Sequence, residues 1–123
     1  VVHKDALPKD IKKKLGISGI LTNEYAWRCL PDESVGRSGV QIDLLIDRSD
    51  GIIDICEMKY SKNSYTITPD YAYEIARKRN VFQSVTNTKK AIHSIMITTD
   101  GLTHNEHWGD IQAEIQLDDL YEL

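Results

Sequence analysis

Most of the features that would set this chain apart from an ordinary globular domain are scarce in it. Its 123 residues hold two cysteines, three prolines, seven glycines and one phenylalanine. Cys29 and Cys56 show no C-x-x-C or Cys/His spacing, which excludes a disulfide-dense scaffold and a cysteine zinc site. They are expected as reduced core residues, with an opportunistic disulfide as the alternative. The proline and glycine content is too low for a low-complexity segment, and no internal repeat is present. No apolar run approaches the ~18 residues of a spanning helix, and no signal-peptide or lipidation pattern is visible, so a cytoplasmic, unanchored protein is expected. Charge of one sign is also lacking: 15 basic against 19 acidic residues leave a net charge of −4. That balance argues against a protein that coats nucleic acid, but it leaves room for a local basic patch. The length fits a single domain, residues 1–123, with one core.

What the chain does have is concentrated in one stretch. Gly39-Val40-Gln41-Ile42-Asp43-Leu44-Leu45-Ile46 and Ile52-Ile53-Asp54-Ile55-Cys56-Glu57-Met58-Lys59-Tyr60 each read as a short β-branched-rich strand. Arg48-Ser49-Asp50-Gly51 between them carries turn chemistry. Gln41, Asp43, Glu57 and Lys59 interrupt these apolar runs. A buried carboxylate without compensation is costly, so its presence in a strand calls for a partner.

A three-residue loop, Ser49-Asp50-Gly51, would put Gly51 in the left-handed conformation of a bulged hairpin and set Arg48 opposite Ile52. Asp43 then falls opposite Glu57, Gln41 falls opposite Lys59, and all four share one face. Opposed residues have Cβ atoms about 4.5–5.5 Å apart, where like charges repel. A divalent cation between the carboxylates would turn repulsion into ligation, and hard oxygen ligands suit Mg²⁺ or Mn²⁺. Lys59 would point into the same site. A two-residue loop, Asp50-Gly51, would instead place Asp43 and Glu57 on opposite faces. The plainer reading is a structural ion pair between Asp43 and Lys59 or an arginine.

A strand Asp followed by Glu-x-Lys on the next strand resembles the core signature of the PD-(D/E)XK nuclease superfamily. Gly39 to Asp47 and Ile55 to Ser61 look most like the nuclease-like domain at the C-terminus of a family of bacterial AAA-type ATPases. Leu15-Gly16-Ile17-Ser18-Gly19, Ile97-Thr98-Thr99-Asp100-Gly101-Leu102 and Leu117-Asp118-Asp119-Leu120 extend the likeness over nearly the whole chain. The resemblance implies an α/β (α+β) fold with a restriction-endonuclease-like core, a mixed central sheet flanked by helices. It also implies metal-dependent hydrolysis of phosphodiester bonds, of DNA in the first instance, by a domain joined in cis to an ATPase. Asp43, Glu57 and the carbonyl of Met58 would hold Mg²⁺ or Mn²⁺. Lys59 would position or help deprotonate the attacking water, and Gln41 would orient water or ligand. Members commonly add an acid from the first helix, which has no convincing match here. The alternative expectation is a catalytically inactive module for protein docking or nucleic-acid binding. The opening Val1-Val2-His3-Lys4 lacks an initiator methionine, so the natural start is expected upstream.

The flanking segments supply the rest of the fold. Ala6-Leu7, Ile11 and Leu15 fit a helical face ending at a Gly16 cap, with the second helical piece over residues 8–15 after Pro8. Lys4, Lys9, Lys12, Lys13 and Lys14 are expected as a solvated face, with phosphate contact as the alternative. Residues 20–30 read as a first strand with Tyr25, Trp27 and Cys29 on one parity. Arg37 lies in a polar loop over residues 31–39 and is expected to be mobile. After the connection over residues 60–65, which holds Lys62 and Tyr65, Thr68-Pro69-Asp70 signals a helix start. Tyr71, Ile75, Phe82 and Val85 form its core-facing stripe. Arg77-Lys78-Arg79 and Lys89-Lys90 fit its dipole, with nucleic-acid contact as the alternative. Residues 91–99 form another strand, in which His93 is expected as a hydrogen-bonded core residue. His104 and His107 show H-x-x-H spacing, a weak zinc signal without a second ligand pair. Residues 111–117 alternate as a final strand, and 118–123 close as a tail.

Overall fold

In the computed structural model, residues 7–116 are described; they form two helices and five strands. The first helix, α1 (Leu7–Leu15), turns Ile11 and Leu15 inward. It stops at Gly16, whose φ of +74° is the left-handed conformation that glycine adopts without a Cβ penalty. The amides of Gly16 and Ile17 there satisfy the last carbonyls, donating to Lys13 and Lys12. The second helix, α2 (Pro69–Thr86), starts where the Thr-Pro-Asp signal puts it. The Thr68 hydroxyl accepts from the Tyr71 amide at 3.2 Å, and Asn87 closes the far end at φ +55°.

The strands are β1 (Thr22–Cys29), β2 (Val40–Arg48), β3 (Ile52–Lys59), β4 (Ala91–Thr98) and β5 (Ala113–Gln116). They form one mixed sheet in the order β1-β2-β3-β4-β5. The first three run antiparallel, whereas β4 lies parallel to β3 and β5 parallel to β4. A parallel step needs a long crossover, and α2 provides the one between β3 and β4. The architecture is therefore α+β, with a helix on each face of a mixed sheet. The Ala6 end of the first stripe and the tail over residues 118–123 lie outside the described residues. No helix among the described residues is long and apolar enough to cross a membrane.

Two packing layers follow from strand alternation. On the α1 side, Ile11 and Ile17 pack on Ile46, Cys56, Ile95 and Ile97. On the α2 side, Phe82 packs on Val40, Ile42, Leu45, Ile53 and Ile55, and Ile75 packs with Ile67, Met96 and Leu102. Burying one such side chain contributes roughly 1.5–3 kcal/mol. Phe82 also meets the Trp27 ring edge-on at 5.0 Å, which makes Trp27 a core-edge residue. Val85 departs from the expected stripe: it is 46% exposed.

One irregularity interrupts the pairing of β1 with β2. Tyr25 pairs with Leu45, but Trp27 pairs with Ile42. Between these rungs β1 has only Ala26, while β2 has Asp43 and Leu44. The extra residue is a β-bulge in β2, and it reverses the strand's in–out alternation at that point. Val40, Ile42 and Leu45 consequently all reach the α2-side cluster despite their mismatched parity.

Candidate functional site

The hairpin has the register expected from a three-residue loop. Leu44, Leu45, Ile46 and Asp47 pair with Cys56, Ile55, Asp54 and Ile53, and Gly51 sits at φ +88°. Pairing stops at the Leu44–Cys56 rung, so Asp43 and Glu57 are the first residues past it.

Glu57 and Lys59 share a face with Ile53 and Ile55 and therefore look toward α2. Glu57 is 9% exposed. Its carboxylate accepts from Lys78 Nζ at 3.1 Å and, more weakly, from the Tyr71 hydroxyl at 3.4 Å. Lys78 lies 3.1 Å from Oε1 as well, but no donor is aimed at that oxygen, which remains buried without a hydrogen bond. Lys59 Nζ lies 4.4 Å from the centre of the Tyr71 ring, within cation–π reach. Burial, then the adjacent Glu57 carboxylate, pushes the Tyr71 phenol far up, so it remains a donor. A buried acid, two ammonium groups and a phenol thus converge on the β3–α2 face.

Gln41 and Asp43 do not join them. They alternate with Val40 and Ile42, whose side chains lie in the α2-side cluster, so they point to the other face of the sheet. Both are exposed, and Gln41 Nε2 donates to Asp43 Oδ1 at 3.1 Å. The expectation that Gln41, Asp43, Glu57 and Lys59 share one face is therefore corrected. Its register was sound, but the bulge at Asp43-Leu44 turns the first half of β2 over. Among the described residues no three His, Cys, Asp or Glu side chains form a metal-ligand group. Glu57 Oε1 is the kind of hard acceptor Mg²⁺ takes, but with Asp43 facing away the expected ligand set is not assembled in this arrangement.

A second embedded acid, Asp54, belongs to the structure's account although its strand position alone gave no reason to single it out. It is 0% exposed. Arg48 Nη1 donates to its Oδ2 at 3.2 Å, and His93 Nδ1 stands 3.9 Å from Oδ1, which has no hydrogen bond. Burial raises the Asp54 carboxyl above its ordinary range against the pull of Arg48. The signal available was a charged residue inside Ile52-Ile53-Asp54-Ile55 with an arginine at the facing turn. Tyr71 and Lys78 were likewise read as a core stripe and a dipole charge; only the fold brings them to Glu57.

The remaining candidates resolve into structural roles. Arg77 binds Glu74, Ser38 and the Gly39 carbonyl, and Arg79 donates to Ser94 Oγ at 2.8 Å. The basic run of α2 is thus largely taken up by internal contacts. Lys90 pairs with Asp47 at 2.6 Å, and Lys12 donates to the Ile20 carbonyl at 3.1 Å. Arg37 pairs its backbone with Asp32 and lies 3.8 Å from the Asp32 carboxylate. His104 stacks on Trp108 at 4.2 Å, and His107 Nε2 stands 3.5 Å from Glu106. Both cysteines are free thiols; Cys56 is buried and Cys29 half-buried. Comparison with known proteins adds no relative: no family model, no curated protein and no solved structure matches this chain.

Proposed function

We propose that this domain is a nuclease of the PD-(D/E)XK type, hydrolysing phosphodiester bonds, of DNA in the first instance, with Mg²⁺ or Mn²⁺. Glu57 and Lys59 are its preformed half. The observation that carries the reading is the Glu57 carboxylate, buried on the α2 side of β3, ion-paired with Lys78 at 3.1 Å and with one oxygen that accepts no hydrogen bond. A fold with nothing to bind there would lose little by replacing such a group with an apolar one. The element order supports the same reading. Helix, three antiparallel strands, helix and two parallel strands is the order expected of a restriction-endonuclease-like core.

In this reading Lys59 positions the attacking water and Lys78 screens the phosphate charge; both are ammonium groups already at the face. Glu57, Asp43 and the Met58 carbonyl would hold the cation; Gln41, expected to orient water or ligand, lies on the other face and is left out of that set. A bound divalent ion supplies an activated water and neutralises charge developing on the phosphate. Asp43 must come round to the α2 face for that set to close. An ATPase joined in cis is the partner implied by the resemblance.

The second reading, an inactive nuclease-like module for docking or nucleic-acid binding, is favoured by one specific observation. The Lys78 ammonium lies 3.1 Å from Glu57, where a cation would compete, while Asp43 faces away. Incubation of this domain, and of a longer chain, with DNA and RNA and either Mg²⁺, Mn²⁺ or EDTA separates the two. Cleavage that requires metal and falls by about 10²-fold or more in Glu57→Gln, Lys59→Ala and Asp43→Asn is the expected result. Salt-sensitive binding indifferent to EDTA supports the module, and absence of both cleavage and binding overturns the nuclease reading.

A further inference from the structure

We propose that β1 is a self-pairing edge, through which two copies of this chain join antiparallel about a two-fold axis at Ala26. The two five-stranded sheets would then run on as one. β1 is the outer strand of the sheet, and β2 is its only substantial neighbour among the described residues. Edge strands are normally blunted by proline, lysine, a bulge or very short length. β1 has no proline, no lysine and no bulge of its own, and it is eight residues long, TNEYAWRC; its charges, Glu24 and Arg28, are of opposite sign and so can be matched by a second copy.

The side chains single out both the occupant and the register. Four residues of β1, Asn23 to Ala26, are exposed in one run. Glu24 and Arg28 lie on the face away from Trp27, and neither has an ion-pair partner among the described residues. A two-fold axis at Ala26 sets Glu24 of each copy directly against Arg28 of the other. On the opposite face it sets Tyr25, 41% exposed, against the other copy's Trp27. Sliding the pairing by two residues in either direction loses both charge pairs, and sliding by four brings like charges together. Only one symmetric register therefore complements the strand with itself, which is the self-matching a two-fold interface requires. Leu21 and Leu30, at 82% and 62% exposure, flank the two ends of the strand and extend the apolar contact. The interface holds whether or not the domain cleaves nucleic acid.

Sedimentation equilibrium over a concentration series tests this, with circular dichroism verifying that each variant is folded. The wild-type chain is expected to dimerise reversibly. Arg28→Glu alone and Glu24→Arg alone should each raise the dissociation constant by about tenfold or more at low salt, since both create like-charge pairs. A one-to-one mixture of those two variants, and the double variant Glu24→Arg/Arg28→Glu, should both recover the wild-type affinity. A wild-type chain that stays monomeric overturns the proposal. So does a dimer that ignores the single reversals, or one that the mixture fails to restore.

Discussion

Replacing Arg48 by methionine tests how this sheet tolerates a carboxylate at its centre. The Asp54 side chain is 0% exposed, and the Arg48 guanidinium lies 3.2 Å from its Oδ2. At that separation the attraction is roughly 5 kcal/mol for an effective dielectric constant of about 20. The arginine also forks onto Asp50 at the turn, through Nε at 2.9 Å and Nη2 at 2.5 Å, so part of any loss belongs to that half-exposed pair. Arg48→Met keeps most of the stem but strands the carboxylate, an event that costs about 3–5 kcal/mol in buried pairs. The penalty should depend on pH. Burial already raises the Asp54 carboxyl in the folded state, and without Arg48 it rises further. An acid raised on folding binds its proton in a window where the unfolded chain has released it. Its favourable contribution is complete below the unfolded value and is lost as pH rises through the folded one. Urea unfolding followed by Trp27 and Trp108 fluorescence should therefore show the full deficit near pH 8 and a clearly smaller one near pH 5. Adding Asp54→Asn should restore most of the loss at pH 8. A deficit below about 1 kcal/mol at pH 8, or one that does not change with pH, would refute the account of Asp54 as a carboxylate kept by its arginine.

Gly51→Ala should destabilise the hairpin by about 1–2 kcal/mol in the same unfolding assay, because φ is +88° although the added methyl would meet nothing within 4 Å. A neutral result would mean the turn readily adopts another conformation. Cys56 should resist a thiol reagent in the native protein, since burial above all pushes its thiol far up, whereas half-buried Cys29 should react first. Equal labelling rates would mean that β3 opens far more readily than its packing implies.

Elements were legible where periodicity and local chemistry agreed. Thr68-Pro69-Asp70 located the start of α2 because capping depends on neighbours alone, and Ser49-Asp50-Gly51 gave the hairpin register because a left-handed glycine does the same. The order of elements, and hence an α+β sheet with a helix on each face, followed from those signals. What could not be read was set by contacts between distant residues. Lys78 meets Glu57 across 21 positions of chain, and no pattern within α2 distinguishes it from Arg77 or Arg79. Asp54 looks in sequence like one more interruption of an apolar run, and only the facing Arg48 explains why it stays. The bulge is the clearest case. Asp43 lies in a run whose alternation predicts one face, yet the demand to bury both Ile42 and Leu45 on the α2 side inserts an extra residue between them.

That demand also sets the energetic condition on the proposed hydrolysis. For Asp43 to reach the Glu57 face, the extra residue must move along β2, and Ile42, 1% exposed, is the side chain that would give up its place beside Phe82. Releasing one isoleucine costs about 2 kcal/mol, which weakens the apparent affinity of any ion bound there by roughly 30-fold. Binding at about a hundred times the intrinsic dissociation constant contributes ~2.7 kcal/mol, enough to exceed that cost. On the proposed nuclease reading, the site is one that closes on its ion rather than one fully formed beforehand. In a Mn²⁺ titration, Glu57→Gln would abolish binding under either arrangement. Asp43→Asn would weaken it only if the bulge has shifted, so the difference between the two variants measures whether ion binding outweighs the burial of a single side chain.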